Sequence, residues 1–154
     1  MGNLKLTSSA FSDGGEIPRE YGYKNGNKVP PLTVSGSPEV PESLALIMDD
    51  PDAMGAVGKV WVDWVVWNLT CFADGKPDFS SPAKQGMTDF GEVGYGGPAP
   101  PDKRHTYVFK IYALDIETLH KNTRRQSQMK KADVELMMEG HIIEQTQLTG
   151  TYVP

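Results

Sequence analysis

The chain holds a single cysteine, Cys71. One thiol excludes an internal disulfide framework and fits a reducing compartment. Beside Phe72, with no activating base or cation nearby in sequence, Cys71 reads as a small buried packing residue and not as a nucleophile. No window of the sequence approaches the length and apolarity of a membrane span, so no integral membrane segment is expected. The start, Met1 to Thr7, lacks the charged region followed by an apolar run that marks a secretory leader, and cytoplasmic residence is the expectation. Basic residues are also in deficit. With 15 Lys and Arg against 20 Asp and Glu the formal charge is -5, and no basic stripe is left to make nucleic acid or an anionic membrane the main partner. Neither a Gly-x-Ser-x-Gly turn nor a Gly-x-x-x-x-Gly-Lys-Ser/Thr cradle occurs, which removes the usual frames for a serine hydrolase and for nucleotide hydrolysis.

At 154 residues the chain is long enough to bury a core as one domain, 1-154. Its organising stretch is Gly94 to Tyr107. Three glycines and three prolines fall within Gly94 to Pro101, a composition incompatible with a helix or a sheet interior, so this is a shaped loop. It runs into an alternating strand, His105 to Leu114, that puts His105, Tyr107, Phe109 and Ile111 on one face. A histidine and a tyrosine thus stand together at the mouth of a strand, under a loop whose backbone N–H groups no ladder uses. Such a place suits a small polar ligand.

Leu4 to Thr7 and Leu32 to Val34 read as short strands, with a polar, glycine-rich loop between them in which Tyr21 and Tyr23 serve as lids or plugs. Ser43 to Asp50 is a strong strand. If Leu44, Leu46 and Met48 face the core, Asp50 points inward and needs partners or a proton. After a turn at Pro51 to Gly55, Val60 to Leu69 is apolar on both faces, the pattern of a central strand. Asp63 interrupts it, either at a strand end or bulge with its carboxylate reaching solvent, or as a buried carboxylate that must be hydrogen-bonded or face a cavity. Residues 70–104 show no periodicity, a span of the kind that carries function. Asp115 is placed to cap a short helix through His120, followed by an exposed polar link. Val134, Met137, Met138 and Ile142 lie at helical spacing and predict an amphipathic helix from Ala132 to Gln145, and Gln147 to Val153 closes as a strand. His120 and His141 read as surface or helix-flank residues. The sum is a mainly β chain, a sandwich of antiparallel strands with short helices and one helix near the C-terminus.

Asp49-Asp50-Pro51-Asp52-Ala53, Trp61-Val62-Asp63-Trp64-Val65-Val66-Trp67-Asn68, Asp89-Phe90-Gly91, Gly94 to Pro101 and His105-Thr106-Tyr107 together resemble the phosphatidylethanolamine-binding protein family, also called Raf kinase inhibitor-like proteins, in its short bacterial and archaeal branch. The likeness runs over nearly the whole chain. It implies an antiparallel β-sandwich with a small pocket that takes phosphate, acetate or a phospholipid head group. Carried over residue by residue, that pocket is lined by Asp50, Asp52, Gly97, Pro98, His105 and Tyr107. Two places depart from the family pattern. Met54 stands where a proline is usual after Asp-Pro-Asp-Ala, and Asp63 stands where a pocket histidine is usual between the tryptophans. The long C-terminal helix of animal members has no counterpart.

The resemblance and the residues favour a non-catalytic protein that binds a small anionic or phosphorylated ligand, with no cofactor. Family members act as kinase or protease inhibitors and signalling modulators, so a protein partner of that kind is an expectation, and a homodimer stays open. Two other readings compete. Asp50, Asp52 and Asp63 are a carboxylate set suited to acid–base hydrolysis, and with His105 they make an oxygen and nitrogen shell for a divalent metal.

Overall fold

The computed structural model describes residues 3–36, 42–119, 125 and 128–154. It is mainly β. One sheet of seven strands carries the molecule. Its path runs β2 (Gly15–Glu16), β9 (Ile142–Tyr152), β8 (His105–Leu114), β4 (Ser43–Asp50), β5 (Trp61–Cys71) and β6 (Pro77–Asp78), with β7 (Lys84–Gln85) also pairing with β5. The long neighbours are antiparallel, and only the two-residue β2 runs parallel to β9. A second, two-stranded sheet of β1 (Lys5–Thr7) and β3 (Thr33–Ser35) packs over one face.

Both faces of the large sheet are covered, so its central strand β4 is buried at every position. Leu44, Leu46 and Met48 of β4 join Trp64, Val66, Phe109 and Ile111 beneath β1, β3 and the N-terminal loop. Ala45 and Ile47 face the other way, onto Val65, Trp67, Leu114 and α2 (Lys131–Met138). Apolar area on both faces is the main stabilising term for such a strand. β8 follows its alternation: His105, Tyr107, Phe109 and Ile111 are buried, and the residues between them are only partly so.

Three expectations need correction. The helix predicted over Ala132 to Gln145 ends at Met138, and the chain is already β9 from Ile142. Gly140, at φ 80°, takes the left-handed backbone that ends the helix, and the β-branched pair Ile142 and Ile143 that follows favours a strand. Ile142 is exposed and does not extend the buried stripe of Val134 and Met138. The predicted capped helix from Asp115 does not form among the described residues up to Leu119. The Asp115 carboxylate is instead a partner of His141 Nδ1 at 2.8 Å, and the Asp115 N–H donates to the His141 carbonyl. His120 lies outside the described residues. The turn after Pro51 contains a short helix, α1 (Ala53–Val57), whose Met54 is exposed. His141 is at the surface, as expected, and Cys71 is half-buried, its thiol pKa pushed up to about 11 by burial.

Candidate functional site

The antiparallel register of β4 and β8 pairs Asp49 with Val108, which brings Asp50 beside Tyr107 and toward His105. Asp50 Oδ2 lies 2.6 Å from His105 Nδ1, and the other ring nitrogen, Nε2, lies 2.7 Å from Asp102 Oδ1. His105 is 0 % exposed and Asp102 is 42 % exposed, so the imidazole separates an inner carboxylate from an outer one. A neutral imidazole has one N–H, whereas two carboxylate acceptors call for two. Burial works against the charged ring, but the hydrogen bonds to Asp50 and Asp102 outweigh it and raise the His105 pKa above its ordinary value. Burial likewise raises the Asp50 pKa, offset in part by His105 and Tyr107. The Tyr107 phenol is held far above the usual range, first by burial and then by the charges of Asp50 and Asp63.

Asp63 owes its position to a β-bulge. Met48 pairs with Trp64 and Asp49 with Val62, so Asp63 is the extra residue on β5. Bulges re-aim side chains beside functional sites. The bulge that the sequence allowed for is present, but it does not lead the carboxylate to solvent: Asp63 is 0 % exposed, and among the described residues neither of its oxygens has a partner. None of the nearby bases neutralises it. Lys59 pairs with Asp89 and Arg104 with Glu16. Burial, followed by the charges of Asp50, Asp49 and Asp89, holds its pKa well above the carboxylate range. Among the described residues, the Trp61 indole N–H is also buried without a partner.

The glycine–proline loop meets these residues through Gly96 and Ala99, so its amides are not free. Gly96 N–H donates to the Asp63 carbonyl at 2.8 Å, Gly97 N–H to Asn27 Oδ1 at 2.7 Å and Ala99 N–H to the Tyr107 hydroxyl at 3.2 Å. The Pro98 carbonyl accepts from Tyr23 N–H. Gly97 passes so close to the Tyr21 carbonyl that a Cβ would overlap it. Tyr23 stacks on Phe90 at 3.9 Å and Trp61 meets that ring edge-on, so the predicted plugs are packed aromatics. Asp52 is peripheral: its Oδ2 accepts from Thr106 N–H at 2.8 Å and fixes the start of β8. The structure therefore gathers Asp50, Asp63, His105 and Tyr107 and leaves Asp52 as an anchor, while Gly97 and Pro98 are bonded to Asn27 and Tyr23 in the adjoining loop.

Sequence reasoning did not single out Asp102 or Asn27. The available signal for Asp102 was an acid three residues before a strand-opening histidine. Asn27, at φ 50°, meets the loop from a distant segment and carries no local signal. Among the described residues, no three His, Cys, Asp or Glu side chains converge to hold a metal ion.

Known proteins match this arrangement along its length. Residues 7–153 match the model of the family described as phosphatidylethanolamine-binding protein. A UPF0098 protein of Chlamydia muridarum is 39% identical over 155 residues, covering 97% of this chain and 98% of its own. One of Methanothermobacter thermautotrophicus is 38% identical over 156 residues, again covering 97% and 98%. The crystal structure of a phosphatidylethanolamine-binding protein homolog from Chlamydia trachomatis superposes with a TM-score of 0.83 at 36% identity, covering 99% of this chain and 98% of that one. E. coli YbcL, described as a new member of the mammalian family, superposes with a TM-score of 0.83 at 31% identity, covering 98% of both chains. Matched from β1 to the end of β9, in sequence and in fold, the chain belongs to the phosphatidylethanolamine-binding protein family.

Proposed function

We propose that this is a non-catalytic cytoplasmic binding protein whose Asp50, Asp63, His105 and Tyr107 site receives the phosphate or carboxylate end of a small ligand, either free or carried by a protein or a lipid. One observation carries the reading: the buried His105 ring, held by Asp50 on its inner side, directs Nε2 outward onto a carboxylate. A protonated imidazole in that position is a charge-assisted donor for an oxyanion. The same geometry gives no support to hydrolysis, because neither ring nitrogen faces a hydroxyl or thiol that it would activate. Inhibition of a kinase or protease, or modulation of signalling, would work through capture of such a group on the partner.

The test is calorimetric titration with inorganic phosphate, acetate and phosphoserine, followed in parallel by ¹⁵N resonances of the His105 ring. Saturable binding that shifts Nε2 and is lost in His105→Gln is expected. Binding undiminished in His105→Gln, or turnover of the phosphoester, would overturn the reading.

A further inference from the structure

The outer face of His105 is already occupied. Asp102 lies in the Pro100-Pro101-Asp102-Lys103-Arg104 turn, three residues before the histidine, and its carboxylate covers the outer ring nitrogen, Nε2. We infer that Asp102 is a tethered competitor for the pocket, so that a ligand enters only by replacing its carboxylate at His105 Nε2, and that this selects phosphate-type ligands over simple carboxylates. The inference rests on the anion-binding reading above.

Four features support it. The Asp102 side chain is 42 % exposed, so rotation into water removes little packing. His105 is 0 % exposed, with Asp50 at its inner nitrogen, so Nε2 is the ring's remaining donor. A buried donor left unpaired is costly, so Asp102 leaves when another acceptor arrives. Pro100 and Pro101 restrict the preceding backbone, which assigns the exchange to the aspartate side chain.

The selectivity follows from the tether. A free carboxylate offers Nε2 the same bond that Asp102 makes, but must overcome an intramolecular rival at high effective concentration. A phosphate monoester brings more charge and more acceptor oxygens. The apparent affinity for any ligand is reduced by the fraction of molecules in which Asp102 has swung away.

Asp102→Ala and Asp102→Asn, each checked by circular dichroism and thermal melting, test the idea against the wild-type protein and His105→Gln. The probes are inorganic phosphate, acetate, and phosphatidylcholine vesicles with and without phosphatidic acid. Asp102→Ala is expected to bind phosphate roughly tenfold or more tightly than wild type and to gain measurable acetate binding, with Asp102→Asn intermediate. A gain for inorganic phosphate alone assigns a soluble ligand, and a gain that extends to phosphatidic acid vesicles assigns a lipid source; both support the proposal. Phosphate bound through His105 with equal affinity in wild type and Asp102→Ala would overturn the competitor role and leave the anion site standing. No binding of any probe by either protein would overturn the anion-binding reading itself, and the competitor with it.

Discussion

Gly96 donates its backbone N–H to the carbonyl of Asp63 at 2.8 Å, so the glycine–proline loop is tied to the bulge that turns the Asp63 side chain inward. Loop and bulge are one unit. The carboxyl is held in a buried position by backbone bonds that do not depend on its own charge.

Asp63→Asn should therefore stabilise the protein at neutral pH. A buried acid with a raised pKa keeps a proton that the unfolded chain releases, so stability falls as pH rises from the unfolded carboxylate value toward the folded one. The amide removes that slope. Urea unfolding from acid to neutral pH should show a gain of about 1 kcal/mol or more at pH 7, shrinking toward low pH. Parallel curves for the two proteins would show that Asp63 does not titrate differently on folding.

His105 behaves in the opposite sense to an acid that folding favours in its charged form. Its folded pKa is raised, so its contribution to stability is complete below the unfolded histidine value and is lost as pH rises through the folded one. Anion affinity should fall over the same upper range. Ring ¹⁵N spectra at neutral pH should show both nitrogens protonated, and a single neutral tautomer there would contradict the assignment.

Gly97→Ala should cost roughly 1–3 kcal/mol, because its Cβ meets backbone at Tyr21, which cannot rotate away as a side chain would. Denaturant midpoints test the cost. A melting curve unchanged from wild type would mean that the loop relaxes freely.

On the other face of the sheet, buried Asp49 accepts from Lys131 Nζ at 2.8 Å and Lys110 Nζ at 3.4 Å. Both lysines are part-exposed and reach water if the acid is removed, whereas the acid cannot. Lys110→Met with Lys131→Met should therefore cost about 3–5 kcal/mol, and Asp49→Asn clearly less. Equal losses in chemical denaturation would refute the asymmetry.

Local pattern carried much of the structure. β4 and β8 begin and end where alternation and flanking turns put them, and the pairing of His105 with Tyr107 on one buried face follows from period alone. The boundary between α2 and β9 was harder, because Val134, Met138 and Ile142 share a helical spacing that Gly140 interrupts. The amides of Gly96, Gly97 and Ala99 look free in sequence. Their partners, Asp63, Asn27 and Tyr107, come from three other segments, and only tertiary structure brings them together. Asp102 was passed over for a related reason: its role depends on a ring that faces it only once β8 is in register with β4.

Asp49 and Asp50 are consecutive on β4 and face opposite ways, one to the lysines near α2 and the other to His105. The end of this strand is thus riveted on both sides. Opening its last two residue pairs would disturb a carboxylate in each layer, so local opening here is coupled across the sheet. The proposed ligand site is thus built on a strand end anchored from both layers.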